Sequence, residues 1–201
     1  MKFVGLILTV IFLLISGCTQ QPEPTELPAD FEITSGSGAM HLEWGWNSFN
    51  VDSSGKASYQ KGMGIGMIKN FDFKVTEEEL LEVYKVAVKN NFFNLNDNYE
   101  DPFVMDGGWE KIEITANGTK KSVQLSNISN EQFAKVDTAI YEMIKRNAPK
   151  VFEYEFIDDC ENKKTECKAY EGKECGSGDV DCISEKYDCE EWISFCGWEI
   201  T

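Results

Sequence analysis

Histidine is almost missing from this sequence: one residue in 201, His41, carries an imidazole. A histidine-based metal cluster is thereby excluded, and a serine triad would have to run through that one residue. His41 lies between Met40 and Leu42, so on a strand its side chain points away from theirs, to solvent. Basic charge is also scarce, with 19 Lys and Arg against 35 Asp and Glu and a net charge of −16. Nucleic-acid affinity is built on basic contacts to phosphate, so no nucleic-acid partner is expected. The same imbalance keeps the chain off an anionic lipid surface except through an anchor. No apolar run reaches the roughly twenty residues that span a bilayer. Cysteine pairs of the C-x-x-C kind, common zinc ligands, do not occur. The glycines at 62, 64 and 66 follow G-x-G-x-G rather than G-x-G-x-x-G, and no strand-to-helix turn follows them. They read as a flexible loop or as a strand whose bare face an aromatic covers.

What is present begins with Met1-Lys2 and thirteen residues, Phe3 to Ile15, that are apolar apart from Gly5 and Thr9. That length and charge order belong to a secretory signal. The run ends in Ser16-Gly17 before Cys18, and Leu14-Ile15-Ser16-Gly17-Cys18 closely resembles the lipobox of prokaryotic lipoproteins. The resemblance implies that residues 1–17 are removed as a signal peptide and that the Cys18 thiol is alkylated by lipid. One lipid chain binds membranes only marginally, so a stable anchor takes two chains or a second signal. Residues 18–30 hold three prolines and, among large apolar side chains, only Leu27. Such a segment cannot repay its ordering entropy by burial and reads as a flexible tether. The expected place is the cell membrane, lipid-anchored, on the extracytoplasmic side.

Residues 31–157 read as an α+β domain. Met40, Leu42, Trp44 and Trp46 keep two-residue spacing, with a Ser-Gly-Ser-Gly break at 35–38 before them. Phe49 and Val51 continue in the opposite phase, which implies a bulge near Asn47-Ser48. Asp52 to Gly55 turn the chain into a strand carrying Ala57 and Tyr59. After alternating Phe71, Phe73 and Val75, Thr76 and Glu79 have capping-box spacing, and Leu80, Leu81, Tyr84, Ala87 and Val88 follow at helical spacing. The Asn- and Asp-rich stretch 92–108 reads as an Asx-turn loop. A hairpin turns at Asn117-Gly118. Ser129 and Gln132 repeat the capping spacing before a second amphipathic helix that ends ahead of Pro149. Phe152, Tyr154 and Phe156 alternate as a last strand. The order predicts an antiparallel sheet with two amphipathic helices on one face.

With "FNVDSSGKASY", "TEEELLEVYKVAVKNNFFNL" and "WEKIEITANGTKKSVQL", residues 31 to 146 resemble an uncharacterised domain of secreted and lipid-anchored prokaryotic proteins. That likeness implies a fold and a location and assigns no site residue. The residues themselves nominate Asp101 and Asp106 as a carboxylate pair for acid–base work. The Met40–Trp46 stripe is either a core face beneath the helices, which need an apolar partner, or an exposed aromatic platform for a sugar or peptide. Asn117 and Asn127 head glycosylation-acceptor triplets.

Residues 158–201 form an acidic six-cysteine module; from residue 151 on the chain carries five Lys against fifteen Asp and Glu. Cys160, Cys167, Cys175, Cys182, Cys189 and Cys196 stand seven or eight apart. In an exported chain an even set reads as three disulfides. On a helix, cysteines seven apart lie about 10.5 Å apart along the axis, too far to bond one another. Two antiparallel helices, 158–175 and 179–196, joined at Gly176 to Gly178 would pair 175 with 182, 167 with 189, and 160 with 196. A module this small is expected to dock on the main domain. The functional expectation is a non-catalytic, membrane-anchored binding or interaction module for a protein or glycan ligand, without cofactor or metal. A carboxylate-based hydrolase of envelope polymers is the alternative, and a thiol redox or metal-handling protein the third.

Overall fold

The computed structural model describes residues 23–39, 45–64, 67–104, 107–170, 174–176 and 179–196. The signal segment, Cys18, Met40 to Trp44 with His41, Asp106 and Trp198 lie outside the described residues. Seven strands, β1 (Glu32–Ala39), β2 (Trp46–Asp52), β3 (Lys56–Met63), β4 (Met67–Lys74), β5 (Asn98–Glu100), β6 (Gly108–Ala116) and β7 (Thr119–Ser126), form one sheet. Its order is β4-β3-β2-β1-β6-β7-β5, and every pairing is antiparallel except that of β5 with β7.

Alternate residues of the central strands, among them Ile33, Phe49, Val51, Ala57, Ile112, Ile114 and Val123, are buried on one face. Against them lie Leu80, Val83 and Ala87 of helix α1 (Glu77–Lys89) and Phe133, Val136 and Ile140 of helix α2 (Glu131–Asn147). Each of these buried Val, Leu, Ile and Phe side chains contributes about 1.5–3 kcal/mol. The fold is thus the expected α+β sandwich with both helices on one face.

Local chemistry sets the ends of these elements. Thr76 Oγ1 accepts from the Glu79 backbone N–H at 3.3 Å, while the Thr76 N–H donates to Glu79 Oε2 at 3.0 Å, closing the capping box. Helix α2 is capped one residue later than its sequence suggests: Asn130 Oδ1, not Ser129, accepts from the Phe133 N–H at 3.0 Å. Between β6 and β7 the chain reverses through Asn117 (φ 53°) and Gly118 (φ 71°), the left-handed pair that a two-residue hairpin requires. The Asp30 carboxylate accepts from both of their backbone N–H groups, at 2.8 and 2.6 Å.

Several expectations are corrected. Residues 35–38 do not break the chain; they run inside β1, where two tryptophans take the space beside the glycines. No bulge occurs at Asn47-Ser48, since the β1–β2 register is continuous from Trp46↔Gly38 to Asp52↔Glu32. Trp46 therefore faces away from Phe49 and Val51 and is no part of the helix-side core. The loop after α1 contains β5, too short at three residues to show a period. Phe152, Tyr154 and Phe156 form no strand: Lys150–Glu153 is a short helix, α3, and Phe156–Asp159 a 3-10 turn. Their alternation serves three separate ring contacts, Phe152 with Tyr141 (4.8 Å), Tyr154 with Phe71 (5.6 Å) and Phe156 with Trp192 (6.0 Å). The proline-rich segment is held from residue 23 onward, with Leu27 against the core and Glu23 ion-paired to Lys85 at 3.6 Å.

The C-terminal module pairs α4 (Cys160–Cys167) with α5 (Val180–Cys196). Its disulfides are Cys160–Cys196, Cys167–Cys189 and Cys175–Cys182, the nested ladder that the spacing predicts. The first helix is shorter than expected, giving way to a 3-10 turn at Lys168–Tyr170. The module docks on the β3–β4 hairpin through a second apolar cluster of Met67, Phe156, Cys160 and Trp192, with Met63 and Phe195 at its margin. Beside it Lys69 Nζ pairs with Asp159 Oδ2 at 3.1 Å, and the Tyr154 hydroxyl donates to the same oxygen.

Candidate binding surface

Because side chains alternate along a strand, the register that sends Ile33, Phe49 and Ile112 toward the helices sends another set to the opposite face. There Gly38 pairs with Trp46 on one side and Trp109 on the other; Trp46 pairs onward with Gly62, and Gly62 with Ile68. Across five strands the row reads Ile68, Gly62, Trp46, Gly38, Trp109. The next row reads Asn70, Gln60, Ser48, Gly36, Lys111 and Gln124. Among the described residues of this face only Gly62 is buried, and what covers it is Trp46.

The glycines explain how the indoles sit. A Cβ on Gly62 would fall 2.0 Å from Trp46 Cε2 and 2.3 Å from its Cζ2 and Nε1, so the ring fills the place of the missing side chain. A Cβ on Gly36 would meet Trp109 Cη2 at 3.3 Å and Cζ3 at 3.4 Å. Both rings thus lean across the neighbouring strand toward the β4 edge, Trp46 over β3 and Trp109 over β1. Their parent strands are two apart, so the two tryptophans are rooted roughly 9.6 Å from one another. Both tryptophans are half-buried.

Charge is distributed unevenly over this face. From Ile68 to Trp109 and from Asn70 to Gln124 Lys111 is the one charged side chain, with Glu113 3.9 Å from it, and the first row continues past Trp109 through Ser126 to the exposed Glu100. Gln60 Nε2 donates to Asn70 Oδ1 at 2.8 Å. Toward the other end of the strands the charges return, first as Asp72 and Glu113 in the next row and then as Glu32, Asp52, Lys56, Lys74 and Lys120.

On the helix side, three hollows share Ser37. One of about 430 Å³ lies between the sheet and the module, bordered by Asn47, Lys61, Met63, Tyr154 and Phe195. Lys61 Nζ is committed there to the carbonyls of Val151 (3.3 Å) and Tyr154 (2.8 Å). Another of about 550 Å³ borders Glu110, Leu125 and Asn127. The third, about 300 Å³, is lined by Ser35, Asn47, Tyr59, Asp137 and Tyr141. Burial, then the charge of Asp137 and the neighbouring Tyr141, push the Tyr59 hydroxyl up to about 12. Asp137 retains exposed surface, yet the atoms crowded around it, followed by the charge of Glu110, raise its carboxyl above the ordinary carboxylate range. Asp137 does not stand out in the sequence, since nothing in the spacing of its helix shows that it shares a hollow with Ser35 and Tyr59 of the sheet.

The carboxylate nominated in the long loop is engaged within its own turn, where Asp101 Oδ1 accepts from the Phe103 N–H at 3.0 Å in an Asx-turn. Both glycosylation-acceptor amides are engaged as well, Asn117 Nδ2 donating to the Tyr84 hydroxyl (3.0 Å) and Asn127 Nδ2 to the Val104 carbonyl (3.2 Å). The six module cysteines are all in disulfides. Among the described residues no group of three or more His, Cys, Asp or Glu is placed to hold a metal. No described helix is long and apolar enough to cross a membrane. No family model matches the chain, and no curated protein matches it.

Proposed function

We propose that this chain is a non-catalytic binding module, anchored by lipid on Cys18 to the extracytoplasmic side of the cell membrane, which engages its ligand through the open face of the sheet. The observation that carries the reading is the Trp46–Gly38–Trp109 row on that face. Large aromatic rings are normally covered in a chain with a core to put them in. Here two are laid over glycines, half open, on the face opposite α1 and α2. The anchor rests on the lipobox resemblance, and the three disulfides suit an oxidising space outside the cytoplasm.

A photo-crosslinking side chain placed at Ser58, on the open face, and at Glu142, on the exposed side of α2, tests the reading in intact cells. Adducts from position 58 and none from 142 support it; no adduct from 58, or equal adducts from both, refutes it. Intact mass of the membrane-extracted protein tests the anchor: a chain that starts at Cys18 and carries lipid is expected, and an unlipidated chain removes the anchor from the proposal.

One observation favours a second reading, a carboxylate-based hydrolase. It is Asp137 on the wall of the 300 Å³ hollow with Tyr59 and Tyr141, its carboxyl raised first by burial and then by the charge of Glu110. A polymer-cleaving activity abolished by Asp137→Asn and untouched by Asp101→Asn would establish it in place of the binding reading.

A further inference from the structure

We infer, on the basis of the binding reading above, that the ligand of the open face is an uncharged glycan chain lying across the strands along the Ile68–Trp46–Trp109 row. A pyranose ring has two faces rich in C–H groups and a rim of hydroxyls, so a site for it needs flat apolar surface beside short, uncharged donors and acceptors. Both are present in register. Trp46 and Trp109 supply the flat surface, and Ile68, 46% exposed, extends it at the edge. The next row supplies Asn70, Gln60, Ser48 and Gln124, whose amides and hydroxyl both donate and accept.

Spacing supports a chain rather than a single sugar. The two tryptophans are rooted two strands apart, roughly 9.6 Å, and the row from Ile68 to Trp109 crosses four strand intervals, roughly 19 Å. The shorter distance spans two linked pyranose rings and the longer about twice as many. Gly38, which stands between the two tryptophans in the row, adds no side chain of its own to the floor there.

Charge decides between glycan classes. A chain of net charge −16 repels an anionic polymer. Within the two rows the one cation, Lys111, is already close to Glu113, which Lys120 holds at 2.6 Å. A basic peptide would find no carboxylate between Ile68 and Trp109, the nearest in that row being Glu100 two strands beyond Trp109, and an acidic one no free cation there.

The test is affinity electrophoresis of the full mature chain in gels containing linear glucan, mannan or N-acetylglucosamine oligomers, with polygalacturonate as the anionic comparison. At least one uncharged polymer is expected to retard the protein, equally at low and high salt because no ion pair is screened. Trp46→Ala and Trp109→Ala are each expected to weaken binding about tenfold, the scale of one aromatic anchor. Trp46 covers Gly62, so its variant could disturb the sheet; Gln60→Ala and Ile68→Ala, at exposed positions, should still weaken binding severalfold while circular dichroism stays unchanged. Retardation by no uncharged polymer, or retardation that survives both tryptophan variants, overturns the inference. Binding to the anionic polymer alone, or cross-links at position 58 to peptide alone, overturns the glycan assignment and leaves the binding reading standing. Failure of the cross-linking experiment itself removes that reading.

Discussion

The three disulfides are nested, and the nesting gives them unequal weights. Their sequence separations are 36 for Cys160–Cys196, 22 for Cys167–Cys189 and 7 for Cys175–Cys182. Considered alone, the inner rung restrains the unfolded chain by about 2.4 kcal/mol and the middle one by about 3.4 kcal/mol. Once the inner rung is closed, the middle rung adds a new loop of only about fifteen residues, worth about 3 kcal/mol, and the outer rung adds another of the same size. Removing the outer rung should therefore cost about 3 kcal/mol. Removing the inner one costs about 2 kcal/mol, because the middle rung then closes the whole loop by itself. Each pair has one buried member, Cys160 or Cys182, and one half-buried, Cys196 or Cys175, so double Cys→Ser variants lose similar packing and the difference reports the loop. Contact of Cys160 with Phe156 and Trp192 in the docking cluster adds to the outer loss. The assay is native-state hydrogen exchange of the α5 amides, which reads the opening free energy of the module directly. An inner-rung variant that opens as readily as the outer-rung variant, or more so, would refute the reasoning.

Two glycines separate backbone strain from crowding. Gly118→Ala meets no atom within 4 Å but must keep φ near +71°, and should cost about 1–2 kcal/mol with the near-UV spectrum unchanged. Gly62→Ala faces no such strain but drives a methyl into Trp46; about 1–3 kcal/mol and an altered tryptophan near-UV signal are expected. The Gly118 N–H, against some opposing burial and aided by the Asn117 N–H, holds the Asp30 carboxyl below its ordinary value. Its support of the turn is thus complete above the ordinary carboxylate range and lost as pH falls through the lowered folded value, so the wild-type minus Asp30→Asn difference in Tm should shrink on acidification. A difference that stays constant or grows would contradict that. Thr76→Ala should lower stability by about 1 kcal/mol, read as a shift of the urea midpoint at unchanged m-value, through loss of the α1 cap.

Local signals were legible where one short stretch settles its own conformation. Thr76 with Glu79 spells a cap, Asn117-Gly118 spells a turn, and cysteines seven apart with a glycine-rich break between them spell the ladder. Position in the sheet was not legible in the same way. Gly36 and Gly38 look like a break because strand propensity counts only their own missing side chains, whereas the tryptophans that compensate come from β2 and β6. Phe152, Tyr154 and Phe156 imitate a strand because their ring contacts with α2, β4 and α5 happen to fall at alternate residues. The Trp row is built from several strands, so no window of sequence contains it. Trp46 stands in a stripe with Met40, Leu42 and Trp44, where its orientation depends on a register fixed only when β2 meets β1.

The hold of Leu27 and Glu23 on the domain has a mechanical consequence. If Cys18 carries lipid as proposed, four residues, 19–22, separate it in the chain from Glu23, which pairs with Lys85. A chain that short reaches at most roughly 18 Å from Cys18 to Glu23. The molecule would ride on a short leash rather than a long one, unable to search far into the surrounding envelope. Its strands leave the leash at Glu32 and run six residues to Gly38, so the tryptophan row sits roughly 20 Å along β1 from the tethered end. Such a protein would serve as a fixed cleat: a polymer passing near the membrane could be caught and kept at a set height above it, whereas one that stays farther out would never be touched.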